Sequence, residues 1–395
     1  MPRTLEGLTV VDLTQNIAGP YCTQLLGDFG ADVIKVERPA GGDDVRRYAP
    51  IAHGESAAFL SFNRNKRSVC VDIRQQAGCE IVRRFAARAD IFAHSLKPGG
   101  AEQLGLDYAA LAALNPRLIY CSLSGFGEKG PLRDLPGYDP VAQAYSGAMT
   151  STGYPGDPPS RIAIPLIDMG AGMWLCMGVM AALLERHASG RGARVDTSLL
   201  EVGITWNTVQ LANFIATGRL PEKCGSASPI LAPYQAFKCS DGEVFIAAGN
   251  DRLFAKLCTL LGLEALLEDP RYATNADRVA RREELRAIIE RETVKHAAAY
   301  WLDAIRAAGI PGGPINTLDK VVGDPQVAAL GMLKPAENFR VPGFNLIDIP
   351  VNLNGEKAAM RAMPPRLGEH TDAVMRWAGY GAEEIAQLKA SGAIA

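Results

Sequence analysis

With 395 residues the chain exceeds what one hydrophobic core usually serves, so two domains are expected. Hydrophobic residues make up 48% and charged residues 21%, an ordinary globular balance, and the formal net charge of −2 excludes bulk attraction to nucleic acid or an anionic membrane. A polyanionic ligand must therefore meet a local basic pocket rather than a basic face.

The opening MPRTLEGLTVVDL has no long apolar core followed by a small-residue cleavage site, so no signal peptide is expected. Residues 8–13 read as a short strand, followed by a loop over 14–19 and a helix that Pro20 opens and that reaches about Phe29. Residues 31–37 form a second strand, giving a β-α-β opening of the parallel-sheet kind. The alternation continues with strand 68–73, helix 75–88, strand 91–95, helix 108–114 and strand 118–123. Such a series predicts a right-handed, doubly wound α/β sheet with ligands at its carboxyl edge.

A mostly apolar helix spans 169–187, then strand 193–198. Its apolar stretch, 171–184, is too short to cross a bilayer and reads as buried, so no membrane partner is expected. Past Gly218 the style changes. Runs at 234–238 and 244–248 flank Ser240-Asp241-Gly242, a hairpin signal, and charge-rich helices follow at 251–262 and 275–308. The expected domains are 1–200, a linker over 201–224, a smaller α+β domain over 225–325, and a return segment 326–395 that completes the first. Eight cysteines lie far apart with no CxxC pair, and five histidines show no ligand spacing. That argues against a metal site or a disulfide framework and suits reduced thiols in a cytoplasmic protein.

A literal GxGxxG stands at Gly125, Gly127 and Gly130, but Pro131 and Pro136 follow where a dinucleotide site needs a helix, so it reads as a turn. The loop from Thr14 to Pro20 is the better anion site, since it leads into a helix N-terminus. Arg38, Arg46, Arg47, Arg64, Lys66 and Arg67 would place a basic rim near it, unless they are simply solvated surface. Asp168 precedes the long apolar helix, where an Asp most often serves as N-cap. The functional alternative is a carboxylate nucleophile, already ionised at neutral pH, with Gly170 and Ala171 leaving room for a substrate carbonyl and first-turn N–H groups holding an oxyanion. Asp139, before Pro140, is a second carboxylate, commonly a turn or cap residue. The small-residue stretch Gly225-Ser226-Ala227-Ser228-Pro229 is a connection or a lid.

Taken in order, Val11-Asp12-Leu13-Thr14, Ala18-Gly19-Pro20, Ile34-Lys35-Val36-Glu37-Arg38-Pro39, Asn63-Arg64-Asn65-Lys66-Arg67, Gly137-Tyr138-Asp139, Asp168-Met169-Gly170 and Leu367-Gly368-Glu369-His370-Thr371 resemble the class III CoA transferase family. The resemblance covers nearly the whole chain. It implies a Rossmann-like large domain built from both chain ends, a smaller middle domain, and a homodimer of interlocked subunits. It further implies that Asp168 is the nucleophile, with Asp139 beside it, and that Ile17, Ala18, Arg38, Val71, Ser95, Leu96 and Lys97 contact CoA. Gly225, Ser226, Ala227 and Ser228 match a glycine-rich loop that closes over the intermediate. No permanently bound cofactor is implied; a coenzyme A thioester is a substrate, and the partners are acyl-CoA and carboxylic acid small molecules.

Three places depart from the pattern, one of them the 225–229 loop, which has Ser and Pro in place of a run of glycines. His94-Ser95-Leu96-Lys97 replaces a common Glu-Asn-Phe before a basic residue, and Ile17 stands where oxalate-using members carry Gln. Within the superfamily, racemases carry His where this chain has Tyr138, a poor base at neutral pH, which favours transfer over racemisation. A catalytically silent CoA-binding protein would have lost Asp168. Several segments, among them Gly41-Gly42-Asp43-Asp44 with Arg46, look like the succinyl-CoA:glutarate type, so a dicarboxylate acceptor such as glutarate or itaconate is expected, with carnitine-type acids as the alternative. Arg46 or Arg47 would clamp the far carboxylate, since a guanidinium pairs with it bidentately.

Overall fold

The computed structural model describes residues 3–336, 339–358 and 360–395. The chain divides into two compact units, one of residues 1–148, 162–209 and 326–395, the other of 149–161 and 210–325.

The larger unit is built on β1 (Thr9–Leu13), α1 (Ala18–Asp28), β2 (Asp32–Glu37), β3 (Lys66–Cys70), α2 (Gln76–Ala86), β4 (Ile91–His94), α3 (Tyr108–Leu114), β5 (Ile119–Ser124), α4 (Asp139–Tyr145), α5 (Leu166–Ser189), β6 (Arg194–Ser198) and α6 (Leu199–Trp206). The six strands are all parallel, in the order β3-β2-β1-β4-β5-β6. This is the doubly wound order, and its direction reverses between β1 and β4.

Side chains alternate along each strand, so each sheet face meets its own helices. Val10, Val33, Ile91 and Cys121 face Leu26 of α1 and Leu175 and Val179 of α5. Val11, Ile34, Phe92 and Tyr120 face the opposite side, against Ile81 and Phe85 of α2 and Leu111 of α3. The same face is covered by residues of the chain's end, whose two helices are given below. Helices α1 and α5 pack backbone to backbone. A Cβ built at Gly172 would lie 2.6 Å from the carbonyl oxygen of Ala18, so only glycine admits this approach.

α5 has 24 residues, longer than the apolar stretch in the sequence, and by length and composition it could cross a membrane. One face is buried through Ile167, Ala171, Leu175, Cys176 and Val179, and the other leaves Met173, Trp174, Met177 and Leu184 exposed.

The smaller unit holds β7 (Tyr234–Lys238), β8 (Glu243–Ala247), α7 (Asp251–Leu261), α8 (Arg282–Thr293), α9 (Ala298–Ala307) and β9 (Gly312–Pro314). The strands form an antiparallel sheet in the order β9-β8-β7, and the expected hairpin closes with the N–H of Cys239 donating to the carbonyl of Gly242 at 2.8 Å. Phe237, Val244, Ile246, Phe254, Leu285, Ile289 and Trp301 make its core. Residues 201–224, expected as a linker, are largely helical instead, holding most of α6 and a further helix, Thr208–Thr217.

The chain's end returns to the large unit as α10 (Thr371–Trp377) and α11 (Ala382–Ala390). Val374, Met375, Ile385 and Ile394 complete the core beneath β3, and Thr371 Oγ1 accepts the N–H of Cys70 at 3.2 Å.

Candidate active site

The direction change between β1 and β4 lies where a ligand crevice is expected at the carboxyl edge. A cleft of about 200 Å³ opens there. The loop after β1 contributes Gln15, Asn16, Ile17 and Ala18, and the loop after β4 contributes Ser95, Leu96, Lys97 and Pro98. Gly125, Gly137, Tyr138 and Asp168 complete the wall. A Cβ on Gly125 would sit 2.6 Å from the Cα of Gly137, so the glycine of the literal GxGxxG serves a close approach of two cleft segments. No helix follows it until Asp139.

The two main loops are tied together and held rigidly from beneath. Ser95 Oγ accepts the N–H of Gln15 at 3.0 Å. Asn16, in left-handed conformation at φ 66°, donates its N–H to Asp43 Oδ1 at 3.1 Å, and its Oδ1 accepts the Tyr48 hydroxyl at 2.9 Å. Lys35 Nζ reaches the carbonyl of Thr14 at 3.0 Å and Asp43 Oδ2 at 2.9 Å. Below that, Lys66 Nζ meets Asp12 Oδ2 at 3.0 Å, the carbonyl of Pro20 at 2.9 Å and Asn63 Oδ1 at 3.0 Å. Asp12 Oδ1 accepts from the N–H and hydroxyl of Thr14, and Oδ2 from Thr23 Oγ1. Burial pushes Asp12 up, yet Lys66, Lys35 and the two threonines outweigh it and hold the carboxyl well below its usual range. Lys66 is pulled down to about 8, burial outweighing Asp12.

The expected basic rim is thus mostly internal. Arg64 forms a buried bidentate pair with Asp28 at 2.9 and 2.7 Å, and Arg67 pairs with Asp32. Arg46, expected to clamp the substrate, instead grips Glu37 through two 2.7 Å bonds and lies over the Phe59 ring at 3.6 Å. Nε and Nη2 serve a buried carboxylate on β2, and Nη1 and Nη2 also reach the carbonyl of Pro365 at 3.3 Å, so the guanidinium is committed away from the cleft. Arg38 and Arg47 both pair with Asp44 and, like Arg46, lie outside the cleft wall. Val71, expected to touch CoA, is 1% exposed and packs in the core beneath the sheet.

Asp168 occupies the third position of α5 and is not its N-cap, which is Pro165. The capping comes from Asp139, whose Oδ2 accepts the N–H groups of Ile167 at 2.8 Å and Asp168 at 3.1 Å. Asp139 is held in turn by Gln143, whose Nε2 donates to its Oδ1 at 2.6 Å and to the carbonyl of Ile162 at 3.1 Å. First-turn N–H groups are therefore occupied, and the space expected beside Gly170 is filled by the Trp206 indole, 2.6 Å from where a Cβ would stand. What remains is a part-buried carboxylate. Burial first, and the nearby charge of Asp139 second, push Asp168 up to about 7, so it is half protonated at neutral pH, against the expectation of a fully ionised group.

The structure brings Ile17, Ala18, Ser95, Leu96, Lys97, Tyr138 and Asp168 together in one cleft, with Asp139 directly behind it. Gly225, Ser226, Ala227 and Ser228 belong to the smaller unit, where Gly225 N–H donates to the carbonyl of Gly153 and Ser226 Oγ accepts from Ala236. Sequence reasoning missed Asn16 and Gln15. The signal available was their place in the loop after β1, directly before the Ile17-Ala18 pair.

The doubly wound sheet thus carries a desolvated carboxylate at the wall of its crevice. Residues 5–371 match the model of CoA-transferase family III, and the chain belongs to that family of CoA transferases. It is similar to the succinate–glutarate CoA-transferase of Agrobacterium fabrum, 39% identical over 94% of both chains. It is also similar to the succinyl-CoA:glutarate CoA-transferase of Mus musculus, 37% identical over 99% of this chain and 90% of that one. A crystal structure of a CAIB/BAIF family protein from Brucella suis superposes with a TM-score of 0.85 at 39% identity, covering 96% of this chain and all of that one.

Proposed function

We propose that the protein moves CoA from succinyl-CoA to a dicarboxylic acid such as glutarate, using Asp168 as nucleophile. The observation that carries this reading is a carboxylate at the cleft wall whose ionised form is destabilised by burial and by Asp139. Desolvation makes such a carboxylate a better attacking group once it loses its proton. The printed activities of the relatives support the donor and the acceptor class.

A carboxylate oxygen of Asp168 attacks the thioester carbonyl, the C–S bond breaks, and CoA thiolate leaves a mixed anhydride. The thiolate attacks the Asp168 carbonyl carbon and releases the donor acid, leaving an aspartyl-CoA thioester. The acceptor carboxylate then displaces the thiolate, and the thiolate attacks the acceptor's carbonyl to give the new acyl-CoA and free Asp168. Ile17, Ala18, Ser95, Leu96 and Lys97 line the path for the thioester arm, and Tyr138 flanks the reacting carbons. Asp139 acts as a positioning residue, through the N–H of Asp168. CoA enters and leaves as substrate, and no resident cofactor is needed.

The working form is an interlocked homodimer in the cytoplasm. The exposed Met173, Trp174, Met177 and Leu184 on α5, with Ile204 and Trp206 on α6, supply an apolar surface that a second copy of the chain would cover.

The test is to incubate purified protein with succinyl-CoA and a panel of acids (glutarate, itaconate, malate, oxalate, carnitine) and follow acyl-CoA species by mass spectrometry, with Asp168→Ala alongside. New dicarboxylyl-CoA from wild type, absent in the variant, is the expected result. No transfer to any acid, with solvent deuterium entering a 2-methylacyl-CoA, would overturn it.

A further inference from the structure

The proposed acceptor has a second carboxylate, and the arginines expected to hold it are engaged elsewhere: Arg46 on Glu37 and Arg47 on Asp44. Among the described residues lining the cleft, Lys97 is the one cation. It is exposed, on the loop after β4, and holds no partner there among the described residues. A long, freely rotating ammonium at the mouth gives attraction without register.

Asn16 is built differently. Its backbone is in the left-handed region, which Asn tolerates better than most residues. Its N–H is fixed by Asp43, a carboxylate 2% exposed and anchored on the fully buried Lys35. Its side-chain oxygen accepts the Tyr48 hydroxyl at 2.9 Å. The Nδ2 group is therefore the free end, with two N–H donors and no acceptor among the described residues, on a residue that lines the same cleft as Asp168. A residue in a sparsely populated backbone conformation, tied by two hydrogen bonds at a ligand cleft, is an arrangement that pre-organises a donor.

We propose that the Asn16 amide, and not an arginine, binds the far carboxylate of the acceptor and makes the enzyme select dicarboxylic over monocarboxylic acids. This rests on the transferase reading above. A neutral donor suits a cleft whose reaction needs Asp168 as a carboxylate nucleophile, because a fixed guanidinium beside it would stabilise that carboxylate in the ground state and weaken its attack.

The experiment is an internal competition. Succinyl-CoA is offered with equal glutarate and pentanoate in one vessel, and the ratio of glutaryl-CoA to pentanoyl-CoA is read by mass spectrometry. Both acceptors meet the same intermediate, so donor binding cancels from the ratio. Wild type is expected to favour glutarate. Asn16→Asp, which keeps the backbone and Tyr48 contacts but presents a negative charge, lowers the preference by about tenfold or more, the usual worth of a hydrogen bond to a charged group. Asn16→Gly, which fits the left-handed backbone without strain, lowers it similarly. Tyr48→Phe, which frees the amide to rotate, lowers it less. Lys97→Ala slows total turnover and keeps the ratio. A ratio unchanged in both Asn16 variants, or a loss that follows Lys97→Ala instead, overturns the assignment while leaving the transferase reading intact. A wild type that transfers to neither acid overturns the transferase reading itself, and with it this assignment.

Discussion

Asp168 illustrates how a short-range environment sets chemistry that residue type alone does not reveal. Its ordinary value of 3.8 is raised to about 7, so the rate of acyl transfer should climb with pH through about 7 and level off above it. Asp139→Asn keeps an oxygen for the N–H groups of Ile167 and Asp168 and removes the like charge. The midpoint of the pH profile should then fall below that of wild type, while burial keeps it above 3.8. The same shift has a stability consequence. Ionising Asp168 in the folded chain is unfavourable, so its contribution declines as pH rises from about 4 to about 7 and stays low above. Asp168→Asn should therefore melt at a higher temperature than wild type at pH 8, with the gap closing by pH 4. The place of Asp168 before a long apolar helix was legible in the sequence, though it pointed to an N-cap, which the structure assigns to Pro165 instead. The origin of its shifted proton affinity was not, since it comes first from burial and second from the charge of Asp139, and burial appears only once the chain is folded.

At the level of elements, strands and helices followed hydrophobic periodicity closely, as with α3, whose limits match the expectation. Charged residues misled. Lys66 and Arg64 read as a surface rim, yet each is buried and paired, because their partners Asp12 and Asp28 lie 54 and 36 positions away and are invisible until the fold brings them together. Lys66→Met should remove a partner from a wholly buried Asp12 and destabilise the unit by about 3–5 kcal/mol, measurable by denaturant unfolding. Gly172→Val should be comparably harmful for a different reason. It forces α1 away from α5 and drags Ala18, a residue of the cleft, with it. Activity should fall along with the melting temperature.

For the whole molecule, the sequence pattern pointed to two domains and to a tail that rejoins the first, but the inclusion of residues 149–161 in the smaller unit left no trace in composition. Deleting residues 367–395 should leave β3 without the hydroxyl of Thr371 and expose the core side of Val374, Met375 and Ile385. Such a truncated chain should accumulate in the insoluble fraction and show no cooperative melting of the large unit.

The contact between Cys70 and Thr371 spans 301 positions of the chain. At roughly 5–20 residues per second, a ribosome needs roughly 15–60 s to make that stretch. Throughout that interval the sheet face has α2 and α3 against it but lacks Val374, Met375 and Ile385. The core of the first domain is thus completed by residues made after the intervening unit, so its folding during synthesis should lag behind that of the smaller unit.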